Sequence, residues 1–222
     1  MKERLISLFL CLCMLVTMLS TTAFAVQGDN LSATTLAADK KTKNHFTDVK
    51  ETDWFYTSVQ YAHEKGFFAG TSKTTFDPNG TMTRSMFVTV LGRMAGVKPE
   101  SYKGEAIFSD VPKNAYYAPY VAWAAKHGIT SGVGNGKFAP DEPITRQQMA
   151  AFFVRYFELF GVEYETDDSI TTIPQDMDKV AEYARDAVLK LWKTGLLAGD
   201  GVKFDPLGYA TRAQCAALCT RT

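Results

Sequence analysis

From Phe46 onward the chain alternates between stretches with helical apolar spacing and polar loops rich in glycine. The clearest stretch is "MAAFFVRYFELF", Met149–Phe160, whose apolar positions suit a helix with a wide buried face. Just ahead of it Thr145 and Gln148 stand three apart, the pattern of a capping box, so a helix is predicted over Arg146–Phe160. Thr83 and Thr211 cap similar stretches, which predicts helices near Arg84–Met94 and Arg212–Thr220. Gln214 completes the box in the last of these, whereas Met86 breaks it in the first. A preceding helix is predicted in each case, at about Trp54–Lys65, Pro119–His127 and Lys179–Thr194. Gly66, Gly128 and Gly195 follow these segments, where a C′ glycine would end them.

The pattern is an internal repeat. "MTR" at Met82–Arg84, "ITR" at Ile144–Arg146 and "ATR" at Ala210–Arg212 lie 62 and 66 residues apart. The same spacings separate "FDP" at Phe76, "FAP" at Phe138 and "FDP" at Phe204. "GFFAG" from Gly66, "GITSG" from Gly128 and "GLLAG" from Gly195 come earlier, and the aromatic residues Trp54, Tyr116 and Tyr183 open the preceding segments. "FTDV" at Phe46 matches "FSDV" at Phe108, but the third copy offers only "IPQDM" at Ile173. The expected organisation is therefore repeats at 46–107, 108–172 and 173–222, the third with a degenerate start and a short last helix. Two helices cannot bury their own apolar faces, so the copies are expected to pack on one another as an all-α, pseudo-threefold bundle.

The residues before the repeats read differently. Lys2 and Arg4, an apolar run over Leu5–Leu19 and Ala23-Phe24-Ala25 have the layout of a secretory signal peptide, expected to span 1–25 with the mature chain starting at Val26. Residues 26–45 are polar and aperiodic, as expected of a flexible linker. No later segment is long and apolar enough to span a membrane. Cleavage leaves 22 basic and 23 acidic groups, a net charge of −1, which argues against a nucleic-acid partner. Cys215 and Cys219, four apart on a helix, are poorly placed for a relaxed disulfide and read as small buried residues. Without a histidine nearby in sequence they are not a metal site, and no cofactor motif is present.

The repeated arginine is the chemical oddity. Arg84, Arg146 and Arg212 each stand in the first turn of a helix, where the dipole is positive and a cation is unfavourable. A threonine N-cap, unpaired backbone N–H groups and a guanidinium on one spot make an anion site. The alternative is an internal partner, with Asp48 or Asp110 pairing with the arginine of a neighbouring copy. If the arginines serve a ligand alone, replacing them with alanine leaves the fold intact; an internal partner predicts earlier melting. Trp54 and Tyr116 either present a flat face to a sugar ring or pack in the core. Gly132, with Gly70, Gly134 and Gly136, either lets backbone N–H groups approach a ligand or merely serves turn geometry.

In its order of motifs, Phe-x-Asp-Val, aromatic-led helix, Gly-x-x-x-Gly, Phe-x-Pro and Thr-Arg, the chain resembles the S-layer homology repeat, and the likeness covers Phe46–Thr222. The resemblance implies a three-pronged helical bundle. It also implies non-covalent cell-surface anchoring, with grooves between repeats binding an anionic, often pyruvylated, secondary wall polysaccharide or modified peptidoglycan. On that basis the candidate ligand-binding residues are Arg84, Arg146, Arg212, Trp54, Tyr116, Asp48, Asp110 and Gly132, and the expected location is secreted and wall-bound. Where the family continues Thr-Arg-Ala-Glu, this chain has Ser85-Met86, Gln147-Gln148 and Ala213-Gln214. The lost Phe-x-Asp-Val of the third copy puts in doubt any groove that needs its aspartate.

Two other functions compete. A glycosidase needs a placed pair of carboxylates, and Asp167-Asp168 lie adjacent in a polar connector. No Gly-x-Ser-x-Gly or His-Glu-x-x-His is present, so no enzyme is expected. A self-assembling structural protein, without polymer-specific binding, fits the repeats as well. The family's repeats usually accompany a further domain, so an anchor acting alone, a fragment and a surface protein partner all stay open.

Overall fold

The computed structural model describes residues 44–163, 165–197 and 199–221; the expected signal peptide and most of the linker lie outside them. Among the described residues six α-helices form: α1 Tyr56–Glu64, α2 Arg84–Met94, α3 Ala118–Lys126, α4 Arg146–Phe160, α5 Arg185–Lys193 and α6 Arg212–Cys219. Among the described residues there are no strands, only isolated bridges, and the fold is all-α as expected.

The helix starts follow from their caps. Thr83, Thr145 and Thr211 are extended, and each hydroxyl accepts from the N–H three residues on. Gln148 and Gln214 return the bond to the cap, while Met86 leaves the first box half made. Gly66, Gly128 and Gly195, with φ near +70°, follow the C-caps of α1, α3 and α5. The long α4 ends on Gly161, also left-handed.

α5 starts six residues later than the sequence predicts. Met177–Lys179 and Glu182–Ala184 are short 3-10 turns, and Val180 and Ala181 between them are extended. A tertiary bond overrides the helical pattern, because the Ala181 N–H donates to Gln147 Oε1 of the preceding repeat at 2.8 Å. α1 begins two residues later than predicted, at Tyr56, and α3 one residue earlier, at Ala118, so Trp54, Tyr116 and Tyr183 sit in the turns ahead of the helices.

The repeats close in a ring. α2 packs on α3, α4 on α5, and α6 returns to α1, where Thr220 Oγ1 donates to Ser58 Oγ. Near the axis the Met82 N–H donates to Ala210, Ala210 to Ile144, and Ile144 back to Met82, at 2.9, 3.2 and 2.9 Å. The first two N–H groups of each second helix find carbonyls in the Phe-x-Pro loop of the next copy. Arg84 and Ser85 use Glu142 and Pro140; Arg146 and Gln147 use Gly208 and Pro206; Arg212 and Ala213 use Gly80 and Pro78. Helix ends that would lie buried without partners are thus satisfied between repeats.

One apolar core runs through all three copies. Phe76, Phe138 and Phe204 are fully buried, and Phe87 of α2 meets Phe153 of α4 near the axis. Gly92 shows how close the helices come, since a Cβ there would stand 2.4 Å from the Tyr120 ring on α3. Cys215 and Cys219 are buried thiols, as expected, with Cys215 Sγ 3.5 Å from Met149 Sδ.

Candidate ligand-binding grooves between the repeats

The three arginines are almost wholly buried, with 3, 7 and 8% of their surface exposed. Each Nε donates to the carbonyl of the next copy's phenylalanine: Arg84 to Phe138 at 2.9 Å, Arg146 to Phe204 at 2.8 Å, Arg212 to Phe76 at 2.7 Å. Each guanidinium also lies over that ring, 4.6–5.1 Å from its centroid. Burial lowers all three pKa values; nearby Tyr183 and Asp110 oppose this for Arg84, Asp205 for Arg146 and Asp77 for Arg212. They stay cationic, because arginine does not deprotonate in proteins.

The aspartates hold the same phenylalanines from the other side. Asp48 accepts from the N–H groups of Phe76 and Asp77, and Asp110 from those of Phe138 and Ala139, at 2.7–2.8 Å. The internal partner of each arginine is therefore a carbonyl, not the aspartate that the sequence offers; the two side chains grip one peptide between them. The third copy keeps this device. Asp176 accepts from Phe204 and Asp205 at 2.8 and 2.9 Å, so the expected loss of its aspartate is corrected. Spacing carried the signal: each aspartate precedes its phenylalanine by 28 residues. Within the loop Asp77, Ala139 and Asp205 are left-handed, with φ of 59, 57 and 57°. A residue before proline rarely takes that shape.

Beyond Nε the arginines differ. Arg212 donates a second bond, Nη2 to the Ala69 carbonyl at 2.8 Å. Nη2 of Arg84 and Nη2 of Arg146 are buried without a hydrogen-bond partner. Leaving a buried donor of this kind unpaired costs on the order of 1–3 kcal/mol or more.

Two cavities repeat one plan at different joints. A cavity of about 350 Å³ is lined by Phe68–Thr71 of the first copy's loop, Met86, Val90 and Arg93 of α2, Tyr116 of the second copy and Arg212 of the third. A cavity of about 270 Å³ is lined by Leu196, Leu197 and Gly199 of the third copy's loop, Gln214 and Leu218 of α6, Arg221, Trp54 of the first copy and Arg146 of the second. Each groove thus draws on three repeats. At the remaining joint Arg84 lies 5.2 Å from the Phe152 ring of α4, close to Tyr183 and Arg155.

Trp54 and Tyr116 are 65 and 59% exposed, so they are rims of the cavities, not core. Gly132 is left-handed, and a Cβ there would come within 2.3 Å of the Lys137 carbonyl. Turn geometry alone accounts for that glycine. Sequence reasoning missed a second arginine series. Arg93, Arg155 and Arg221 donate to the carbonyls of Phe67, Ile129 and Leu196, the residues just after the C′ glycines. Their regular position, nine residues beyond each Thr-Arg arginine, was the available signal. Among the described residues no group of three or more metal-ligating side chains assembles, and no helix is long and apolar enough to cross a membrane.

Comparison with known proteins agrees with this architecture. Residues 45–85, 107–150 and 175–216 match the S-layer homology domain, more than half of the chain. The chain belongs to that family, whose members associate with the cell surface and wall. It is 36% identical over 77% of its length to an endoglucanase of Bacillus sp. (strain KSM-635), covering 18% of that protein. It is 33% identical over 78% to an amylopullulanase of Thermoanaerobacterium thermosulfurigenes, covering 9%. With the S-layer protein sap of Bacillus anthracis it shares 27% identity over 80%, covering 21%. The chain thus spans about a fifth or less of the length of these relatives.

Proposed function

We propose that the protein is a non-catalytic anchor that fastens to the cell wall by holding an anionic secondary wall polysaccharide in its inter-repeat grooves. The observation that carries this reading is the cavity between Trp54 and Arg146. It joins an exposed indole face, suited to a sugar ring, to a buried cation with an unpaired N–H. A pyruvate ketal offers a planar carboxylate of the kind that a guanidinium binds. Asp48, Asp110 and Gly132 serve the groove indirectly, by fixing the loops that carry its walls. The repeats occupy 46–107, 108–172 and 173–222, and export through a signal peptide at 1–25 would bring them to the wall.

The test is sedimentation of the secreted protein with purified sacculi, before and after chemical removal of the secondary polymer. Binding that disappears with the polymer supports the reading. Binding that survives points to peptidoglycan itself, and ordered self-assembly without walls points to a purely structural protein.

A further inference from the structure

α4 is longer than its joint in the ring requires. α2 meets α3 with eleven residues, whereas α4 has fifteen before it ends on Gly161. Glu158 in the added turn bonds Lys190 of α5, but the apolar side chains around it face outward. Leu159, Phe160 and, just past the helix, Val162 are 37, 50 and 43% exposed. Phe160 lies 5.0 Å from the Tyr156 ring and one turn on from the buried Phe157. Beside it is a cavity of about 330 Å³, with an apolar floor of Phe157, Val162 and Leu196 and a rim that holds Glu163, Glu165 and Arg221. Among the described residues neither carboxylate has an ion-pair partner, and the Arg221 side chain is bonded only to the Leu196 carbonyl. Contiguous exposed apolar residues of this kind mark an interaction site.

We propose that this surface pairs two copies of the chain about a twofold axis. Phe160 of each copy enters the hollow of the other, and Arg221 of each faces Glu163 and Glu165 of the other. A twofold contact must be self-complementary, because the same patch serves both sides. This patch meets that demand twice over. It holds an aromatic projection beside a hollow with room for a ring, and it holds unpaired charges of both signs. A foreign partner would need only the projection or only the hollow. The contact closes on itself, so it gives a dimer and not an array. Leu196 and Arg221 also line the Trp54–Arg146 groove, so pairing sets two such grooves on either side of one interface. Two linked grooves raise avidity for a long polymer without any new contact to it. That gain rests on the anchoring reading; the pairing itself does not.

The experiment is sedimentation equilibrium of the secreted protein over a wide concentration range. The mass should rise from that of one chain to that of two and stop there. Phe160→Ser should weaken pairing about tenfold or more, the scale of one buried aromatic side chain. Leu159→Ser should weaken it in the same direction. Both variants should keep the parent's melting midpoint when dilute, because the two side chains are exposed in the single chain. Glu163→Lys with Glu165→Lys should also weaken pairing, and adding Arg221→Glu should restore it by exchanging the two signs. A protein that stays monomeric throughout, a mass that climbs past two chains, pairing that Phe160→Ser leaves unchanged, or a charge exchange that restores nothing overturns the proposal. Sedimentation with sacculi keeps the two readings apart. If the protein stays monomeric yet binds sacculi, only this inference falls; if it pairs but does not bind them, the anchoring reading falls alone.

Discussion

Arg212 donates its Nε–H to the carbonyl of Phe76, 136 residues earlier in the chain, at 2.7 Å. This bond repeats the contacts of Arg84 with Phe138 and Arg146 with Phe204, and so makes the last repeat the neighbour of the first. The cation in the first helical turn is no longer an anomaly. It reaches out of its own helix to a neighbouring loop, while that loop's carbonyls take up the helix N–H groups.

A closed ring has no independent part. Removing α6 by a stop at residue 209 takes away the donors to Phe76, Pro78 and Gly80, and uncovers α1. The full protein should melt in one calorimetric transition, and the truncated chain should show no sharp transition. A truncated chain that melts cooperatively near the full-length temperature would contradict ring closure.

Arg146→Ala should lower stability whatever the ligand does. It loses a charge-assisted bond, about 1.5–3 kcal/mol, and the packing over Phe204. For a protein of this size that corresponds to a melting temperature lower by roughly 3–12 °C. Arg146→Lys should recover only part, since lysine cannot reproduce the planar fork. Differential scanning calorimetry of both variants checks this; an unchanged midpoint for Arg146→Ala would mean that the buried bond contributes nothing.

The second helices were legible in the sequence because their signals are local. Threonine caps and an apolar period fixed Arg84–Met94 and Arg146–Phe160 at the observed bounds. The start of α5 was not, because a contact from Gln147 holds Ala181 extended, and no local pattern encodes a partner 34 residues away. The arginines stood out in the sequence as first-turn cations, but their partner did not. A backbone carbonyl leaves no mark in a sequence, so the nearby aspartates looked like the natural acceptors. Trp54 and Tyr116 were visible as aromatic, yet their place on the rim depended on α1 and α3 starting just after them.

Ala139 is left-handed and precedes Pro140. In the other copies aspartate fills this position, a residue that tolerates such φ values better. Ala139→Gly removes the Cβ conflict, and the gain is partly offset by the greater freedom of glycine in the unfolded chain. The expected net change is a stabilisation of up to about 1 kcal/mol, read as a small rise in the urea midpoint without a change in slope. A lower midpoint would show that the loop is not strained at this residue.

Asp110 gives the protein a defined response to acid. Burial pushes its carboxyl pKa up, but the N–H groups of Phe138 and Ala139, aided by Lys137, outweigh that and leave it below the ordinary aspartate value. A carboxylate with a depressed folded pKa stabilises the fold fully above its unfolded pKa, about 3.9. That contribution is lost as the pH falls through the folded value, because the unfolded chain takes up the proton first. The melting temperature should therefore hold through the mildly acidic range and begin to fall below about pH 4. Asp167 and Asp200 are also depressed, by bonds from Ser169 and from the N–H groups of Lys203 and Val202, and they add to the same slope. Asp110→Asn isolates the one group. It removes the charge that holds Phe138 and leaves a single acceptor oxygen for two N–H groups. The variant should melt lower than the parent at pH 7, and the gap between them should narrow as the pH drops below about 4. Melting curves of both proteins between pH 2 and 7 measure that gap directly. A gap that stays constant across the range would show that ionised Asp110 does not hold the Phe-x-Pro loop.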